Sequence, residues 1–270
     1  MPTLLSLVVA FSLIGFSSCS CDEKSDGDHN ADTGVPDASI PDSGPDPVDP
    51  EVDWGEIHAG SYTFGAPEGT PCMGPMMEKQ VPVTLTHPFL MSRHEITQRQ
   101  WNALGFALPH RAPLCDDCPI TFINTYEAEA WCNALSRFEG IEECYDLSTC
   151  TGEIGAGCPG GDFYELGCIF VQGSSPPEDL DDLYTCSGTT RRYTSMYDCS
   201  GYRLPTGPEW EYAAKAGTTS NTYNGDMTDD HGEGCADEPI LNDIAWYCEN
   251  TGAGNYDGCG SFRPTVMRPS

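Results

Sequence analysis

Fifteen cysteines in 270 residues constrain this chain more than any other feature. So many thiols are hazardous in a reducing cytosol, and they point to an oxidising compartment where they can pair. Six of them, Cys144, Cys150, Cys158, Cys168, Cys186 and Cys199, fall within residues 141–200. That stretch has few long apolar runs and many Gly, Ser and Thr, so it reads as an insertion held by bridges rather than by its own core. Its gaps lack the paired Cys-x2-Cys or Cys/His spacing of a zinc module. The one Cys-x2-Cys, Cys115-Asp116-Asp117-Cys118, has no second half at finger spacing and reads as one or two disulfide ends.

Charge narrows the function next. The chain carries 42 Asp+Glu against 12 Lys+Arg, a net charge of −30. Phosphate backbones and anionic lipid surfaces would be repelled, which excludes direct nucleic-acid binding and docking through a basic patch. With 39% hydrophobic residues and five Trp, one sizeable core can be buried. The 29 Gly and 22 Pro disfavour a helical bundle and favour a loop-rich α+β fold.

The N-terminus reads as an export and anchoring device. Leu4 to Phe16 is an apolar run too short to span a bilayer but of the length of a signal-peptide core. Ser17 and Ser18 precede Cys19, an order that resembles the lipobox of bacterial lipoproteins, where the cysteine is acylated and becomes the new N-terminus. The expectation is a signal peptide over 1–18 and a lipid on Cys19, with an ordinary cleaved signal peptide as the plainer alternative. Residues 22 to 53 hold eleven acidic side chains, one Lys and five Pro, and the first aromatic residue after them is Trp54. Such a segment cannot bury enough apolar surface to offset its chain entropy, so 19–53 is expected to be an extended tether. Asp26-Gly27-Asp28 lacks the ordered ligands and closing Glu of an EF-hand.

The globular part is expected over 54–270. Short strands are predicted at Ser61–Gly65 and Val81–Leu85 from their alternation. Three helices follow from capping boxes and apolar stripes. Thr97 and Gln100 open one over Thr97–Ala107, with Trp101, Leu104 and Leu108 on one face. Asn124 and Glu127 open a second over Thr125–Phe138, with Ala128, Trp131, Leu135 and Phe138 as its stripe and Gly140 as its stop. Thr206 and Glu209 open a third, with Trp210, Ala213 and Ala214 on one face and Gly217 at its end. The tryptophans read as core. There is no Gly-x-Ser-x-Gly elbow, no phosphate-binding glycine loop and no His-Glu-x-x-His; His94-Glu95 reads as a structural pair.

The run Gly201-Tyr202-Arg203-Leu204-Pro205-Thr206-Gly207-Pro208-Glu209-Trp210-Glu211-Tyr212-Ala213-Ala214-Lys215-Ala216-Gly217 resembles the signature of the formylglycine-generating enzyme family, or sulfatase-modifying factors. The family commonly has Glu-Ala where Gly207-Pro208 stands. Three further blocks resemble it in order: His87 to Thr97 with Trp101, Cys118-Pro119-Ile120-Thr121-Phe122 with the helix after it, and Leu241 to Tyr247. The resemblance implies the family's loop-rich α+β domain, related to C-type lectins.

It also implies an activity and its requirements. Family members oxidise a substrate cysteine in a Cys-x-Pro-x-Arg type motif to formylglycine, using oxygen and a copper ion held by two late cysteines; soft thiolates suit Cu(I). That pair follows Gly-Asn-Val-Trp-Glu-Trp and Arg-Gly-Gly blocks that this sequence does not contain, and no cysteine follows Cys259. The copper ligands therefore map to no position here, and no catalytic residue is assigned. The expectation is a cell-envelope lipoprotein that keeps the fold for binding or scaffolding, on the outer-membrane, periplasmic or extracellular face. Its partner would be a protein, peptide or glycan, and its membrane contact the lipid alone. The alternative is a formylglycine-generating oxidase. The resemblance further implies a structural Ca2+ site built from the Asp243 side chain, the Ile244 carbonyl, the Asp257 side chain and the Cys259 carbonyl. Asn242 is the alternative ligand if the register shifts by one. Oxygen donors on loops suit Ca2+.

Overall fold

Each of the three helices starts where its capping box requires. In the computed structural model, which describes residues 6–8, 48–67, 79–109, 115–121, 123–155, 183–226, 240 and 243–244, helix α1 spans Gln98–Ala103, α2 Thr125–Phe138 and α3 Gly207–Lys215. Thr97, Asn124 and Thr206 each accept from the N3 backbone N–H, and the N3 side chain accepts in return from the cap N–H. Helix α1 ends four residues earlier than its stripe predicted. Gly105 turns the backbone to φ +84°, and Trp101 Nε1 donates to the Ala107 carbonyl at 2.8 Å, folding the chain back. Trp101 and Trp131 are fully buried, as core residues should be. Phe138, placed on the buried stripe of α2 by its spacing, is exposed instead. In α3 the buried positions are Glu209 and Ala213, while Trp210 is half-buried.

The strands are short. A four-stranded sheet has the order β2–β5–β1–β8, from β2 (Trp54–Ile57), β5 (Phe89–Ser92), β1 (Ser6–Val8) and β8 (Tyr202–Arg203). β2 runs antiparallel to β5, whereas β1 is parallel to both β5 and β8. The predicted strands at 61–65 and 81–85 form an antiparallel hairpin, β3 (Gly60–Phe64) with β4 (Val81–Leu85). It docks on α3: the Tyr62 hydroxyl donates to the Pro208 carbonyl, and Gly65 N–H to the Glu211 carboxylate. β6 (Cys150–Thr151) and β7 (Thr185–Cys186) form a two-residue ladder in the insertion.

Successive residues of a strand face opposite sides of a sheet, so the register sorts the core into two layers. Phe89, Met91 and Ile57 share one face and pack with Leu85 and Ala213 of α3. Trp54, Ser92 and Tyr202 lie on the other, where the larger cluster joins Trp101, Ile120, Trp131 and Leu135. Strand β8 is pressed on α2. Tyr202 N–H donates to Ser136 Oγ, which donates to the Cys132 carbonyl. A Cβ at Gly201 would overlap the Glu142 carbonyl, which explains glycine at the head of the signature.

Two features moved relative to expectation. Residues 48–53, expected in the tether, are packed on the body. Val48 N–H donates to the Ala103 carbonyl, Pro50 is buried, and Arg93 N–H binds the Asp53 carbonyl while its guanidinium reaches Asp53 Oδ1 at 3.3 Å. Proline and acid content described the segment's composition but not these backbone partners. The apolar run at the N-terminus also contributes the central strand β1.

The insertion is bridged as anticipated. Cys144–Cys199 closes its base and Cys150–Cys186 crosses the β6–β7 pair, while Cys115 and Cys118 bond to each other. Cys158 and Cys168 lie outside the described residues. A further clasp comes from Glu127. Fully buried, its carboxylate accepts from Asn124 N–H and, across the fold, from Gly155 N–H at 2.7 Å.

Candidate functional site

The signature's chemistry is first of all structural. Arg203 lies on the sheet face opposite Tyr202, pointing to α3, and meets Glu209 in a two-pronged pair at 2.8 and 2.7 Å, both side chains 1% exposed. Thr206 N–H and Oγ1 also donate to Glu209 Oε2. Burial alone would raise the Glu209 pKa, but Arg203's donors and charge, joined by Thr206, hold it below the usual carboxylate range. A charge so enclosed is out of reach of a ligand and belongs to the scaffold.

The other face of the same strand packs into the larger core cluster, where Tyr202 is 6% exposed, and a cleft reaches the edge of that packing. Trp54 and Tyr202 stack with centroids 5.3 Å apart at 23°. They come from opposite edge strands of the sheet and converge above it. With Leu135 and Val52 they form the apolar part of a cleft of about 200 Å3, rimmed by Asp49, Glu51 and Glu139. All three carboxylates are exposed. The Tyr202 hydroxyl pKa is pushed up to about 12, by burial first and then by the charges of Glu139 and Asp49. The cleft therefore has a negative potential over an aromatic floor, an arrangement that favours a cationic group lying against rings. Spacing in the sequence could not reveal it, because its residues come from the 48–54 strap, the end of α2 and β8. The one local sign was Tyr202 inside the signature.

The thiols and carboxylates present decide which metal chemistry this site can support. Among the described residues, Cys132 is the only cysteine outside a disulfide. It is fully buried, and burial, then the neighbouring Glu129 charge, drives its thiol well above the ordinary range despite Arg203 nearby. A protonated, sealed single thiol does not fit a copper site that needs two thiolates. The described residues contain no group of three or more His, Cys, Asp or Glu able to hold a metal ion.

Of the expected calcium ligands, Asp243 and Ile244 share a turn, Asp243 exposed and Ile244 half-buried. Asp257, Cys259 and the alternative Asn242 lie outside the described residues, as does the lipidation candidate Cys19. The calcium proposal predicts that millimolar Ca2+ raises the melting temperature of the wild type and that Asp257→Ala loses this rise. A shift in Asp257→Ala equal to that of a control Asp37→Ala would remove the site.

The family model for the sulfatase-modifying factor enzyme 1-like domain matches residues 41–266. The chaperone protein LppX of Paenibacillus barcinonensis is 28% identical over 178 residues, 63% of this chain; the match spans 47% of LppX, about half its length. Among solved structures, Treponema denticola variable protein 1 shares 26% identity with a TM-score of 0.41, covering 74% of this chain and 62% of that one. CarF shares 20% identity with a TM-score of 0.34, covering 62% and 57%.

Proposed function

Because the chain belongs to the sulfatase-modifying factor enzyme 1-like domain family, we propose that it uses that α+β scaffold to bind another polypeptide at the cell envelope rather than to oxidise a cysteine. The observation that carries this reading is the cleft. Its stacked Trp54 and Tyr202 and its rim of Asp49, Glu51 and Glu139 suit a Lys or Arg side chain of an extended segment. The name of the LppX relative, a chaperone, supports a polypeptide ligand. Titration calorimetry with an Arg-containing nonapeptide and its Arg→Gln counterpart tests the assignment. The Arg peptide should bind at least fivefold more tightly. Glu139→Gln should erase most of that preference, and 0.5 M salt should weaken it, because exposed charges are screened. Equal binding of the two peptides would sink it.

The family match also keeps the oxidase in view. Copper-supplemented protein should show no turnover of a Cys-x-Pro-x-Arg peptide, since Cys132 is the only unbridged thiol among the described residues and it is sealed. Turnover abolished by a copper chelator would establish the enzyme instead.

Export and anchoring complete the proposal. The apolar run, the Ser17-Ser18-Cys19 order and the acidic tether would hold the domain off a membrane by lipid alone. Among the described residues no helix is long and apolar enough to cross one. Cys19→Ala should move the protein from the membrane to the soluble fraction, with loss of the acyl mass in mass spectrometry. Fifteen cysteines less the unpaired Cys132 leave fourteen, and a lipid on Cys19 makes thirteen, so a second thiol must then also lack an intrachain partner.

A further inference from the structure

Strand β1 occupies a position that the rest of the domain leaves open. Ser6, Leu7 and Val8 register with Phe89, Leu90 and Met91 of β5 on one side. On the other side Leu7 and Val8 register with Tyr202 and Arg203 of β8. Neighbouring strands lie about 4.8 Å apart, so without β1 the strands β5 and β8 would face each other across about 9.6 Å. Each would present backbone N–H and C=O groups with no ladder partner, next to the buried core. Yet residues 6–8 also lie within the Leu4–Phe16 run, which the export reading removes. The segment cannot both leave with the signal peptide and remain the central strand.

We propose that the place between β5 and β8 is a binding site for an extended apolar strand of another exported polypeptide, taken up parallel to both flanking strands. In the unprocessed chain residues 6–8 hold the place. This inference rests on the proposed export and deepens the binding function, since it names where a partner's backbone would be gripped. Recognition by strand addition draws its affinity from main-chain hydrogen bonds and so tolerates many sequences. A slot paired on both sides offers two ladders where a free sheet edge offers one. The seated example is the neutral Ser-Leu-Val. A second copy of this chain is a poor occupant, because it would bring another net charge of −30. A strand in this place lies against the backbone of Tyr202, whose ring floors the acidic cleft. Apolar strand and cationic side chain can therefore come from one extended segment.

Hydrogen exchange read by mass spectrometry tests the proposal on the full chain and its Leu7→Pro variant. Proline removes a ladder N–H and is not tolerated in a central strand. Exchange at 89–92 and 202–203 should speed up at least tenfold in the variant, while 125–138 in α2 keeps its protection. Adding the peptide Ser-Leu-Val-Val-Ala-Phe-Ser with a terminal Lys pair should restore the slow exchange, and the same peptide with Leu replaced by Pro should not. Unchanged exchange in the variant would show that β1 is not seated there. Loss of protection in α2 as well, unrepaired by peptide, would make β1 an integral core strand; either result overturns the proposal. The export reading is checked separately by the N-terminal mass of protein isolated from cells. A chain beginning at Met1 defeats that reading whatever the exchange data show.

Discussion

Replacing Glu209 by Gln should cost about 3–5 kcal/mol of folding stability, because it leaves the Arg203 guanidinium charged and buried without its counter-ion. The pair is 1% exposed on both sides, so water cannot take over the lost contact. Two further groups lose their partner: Thr206 N–H and Oγ1 both donate to the same carboxylate, where it closes the capping box of α3. Arg203→Met alone should cost a similar amount by stranding Glu209. The double variant Arg203→Met/Glu209→Met should cost clearly less than the sum of the two, since a paired apolar replacement leaves no uncompensated charge. Urea melts of the four proteins give the coupling directly, and additive losses would mean that the two side chains do not act as a unit. The pH dependence has a definite sign. Glu209 has a folded pKa below its unfolded value of about 4.3, so its contribution is present above that value and is lost as the pH falls through the depressed folded one. The wild type and Glu209→Gln should therefore converge in stability on acidification below about pH 4 and stand furthest apart near neutrality.

What could be read from the sequence was whatever depends on neighbours within four residues. The three capping boxes located the helix starts to within a residue, because Ser/Thr/Asn-x-x-Glu/Gln satisfies orphan N–H groups whatever the tertiary context. The hairpin of β3 and β4 was visible as alternation. The apolar run at the N-terminus was not decidable in the same way, since a signal core and a buried strand share one pattern. The strap at 48–53 was hidden by its composition: it is held by Arg93 and the Ala103 carbonyl, partners about 40 to 55 residues away. Glu209 illustrates the same limit from inside the signature. Its role at the cap was legible, but its pairing with Arg203 needed β8 and α3 to be set side by side. The acidic cleft lay still further out of reach, because no local window contains Trp54, Glu139 and Tyr202 together.

Removing the Cys144–Cys199 bridge as Cys144→Ala/Cys199→Ala should destabilise the protein far more than removing Cys115–Cys118 in the same way. The bridges close loops of very different length, with sequence separations of 55 and 3. On the chain-entropy view the long loop is worth about 4 kcal/mol and the short one about 2 kcal/mol, because the unfolded chain gains more freedom from the first. Packing widens the gap. Cys144 is 0% exposed and Cys199 6%, both within the larger core cluster, so losing the sulfurs also leaves a cavity. Position adds a functional consequence. Cys199 stands three residues before Tyr202, and its bond ties the approach to β8 to the segment following α2. Freeing it should loosen the strand that floors the cleft and lines the β1 slot. Urea unfolding should accordingly show a lower midpoint and a steeper slope for Cys144→Ala/Cys199→Ala, since the released chain exposes more surface when unfolded. The short-loop variant should keep the wild-type slope. Equal losses from the two double variants would show that the insertion is anchored by its backbone ladders and the Glu127–Gly155 clasp rather than by the bridge at its base.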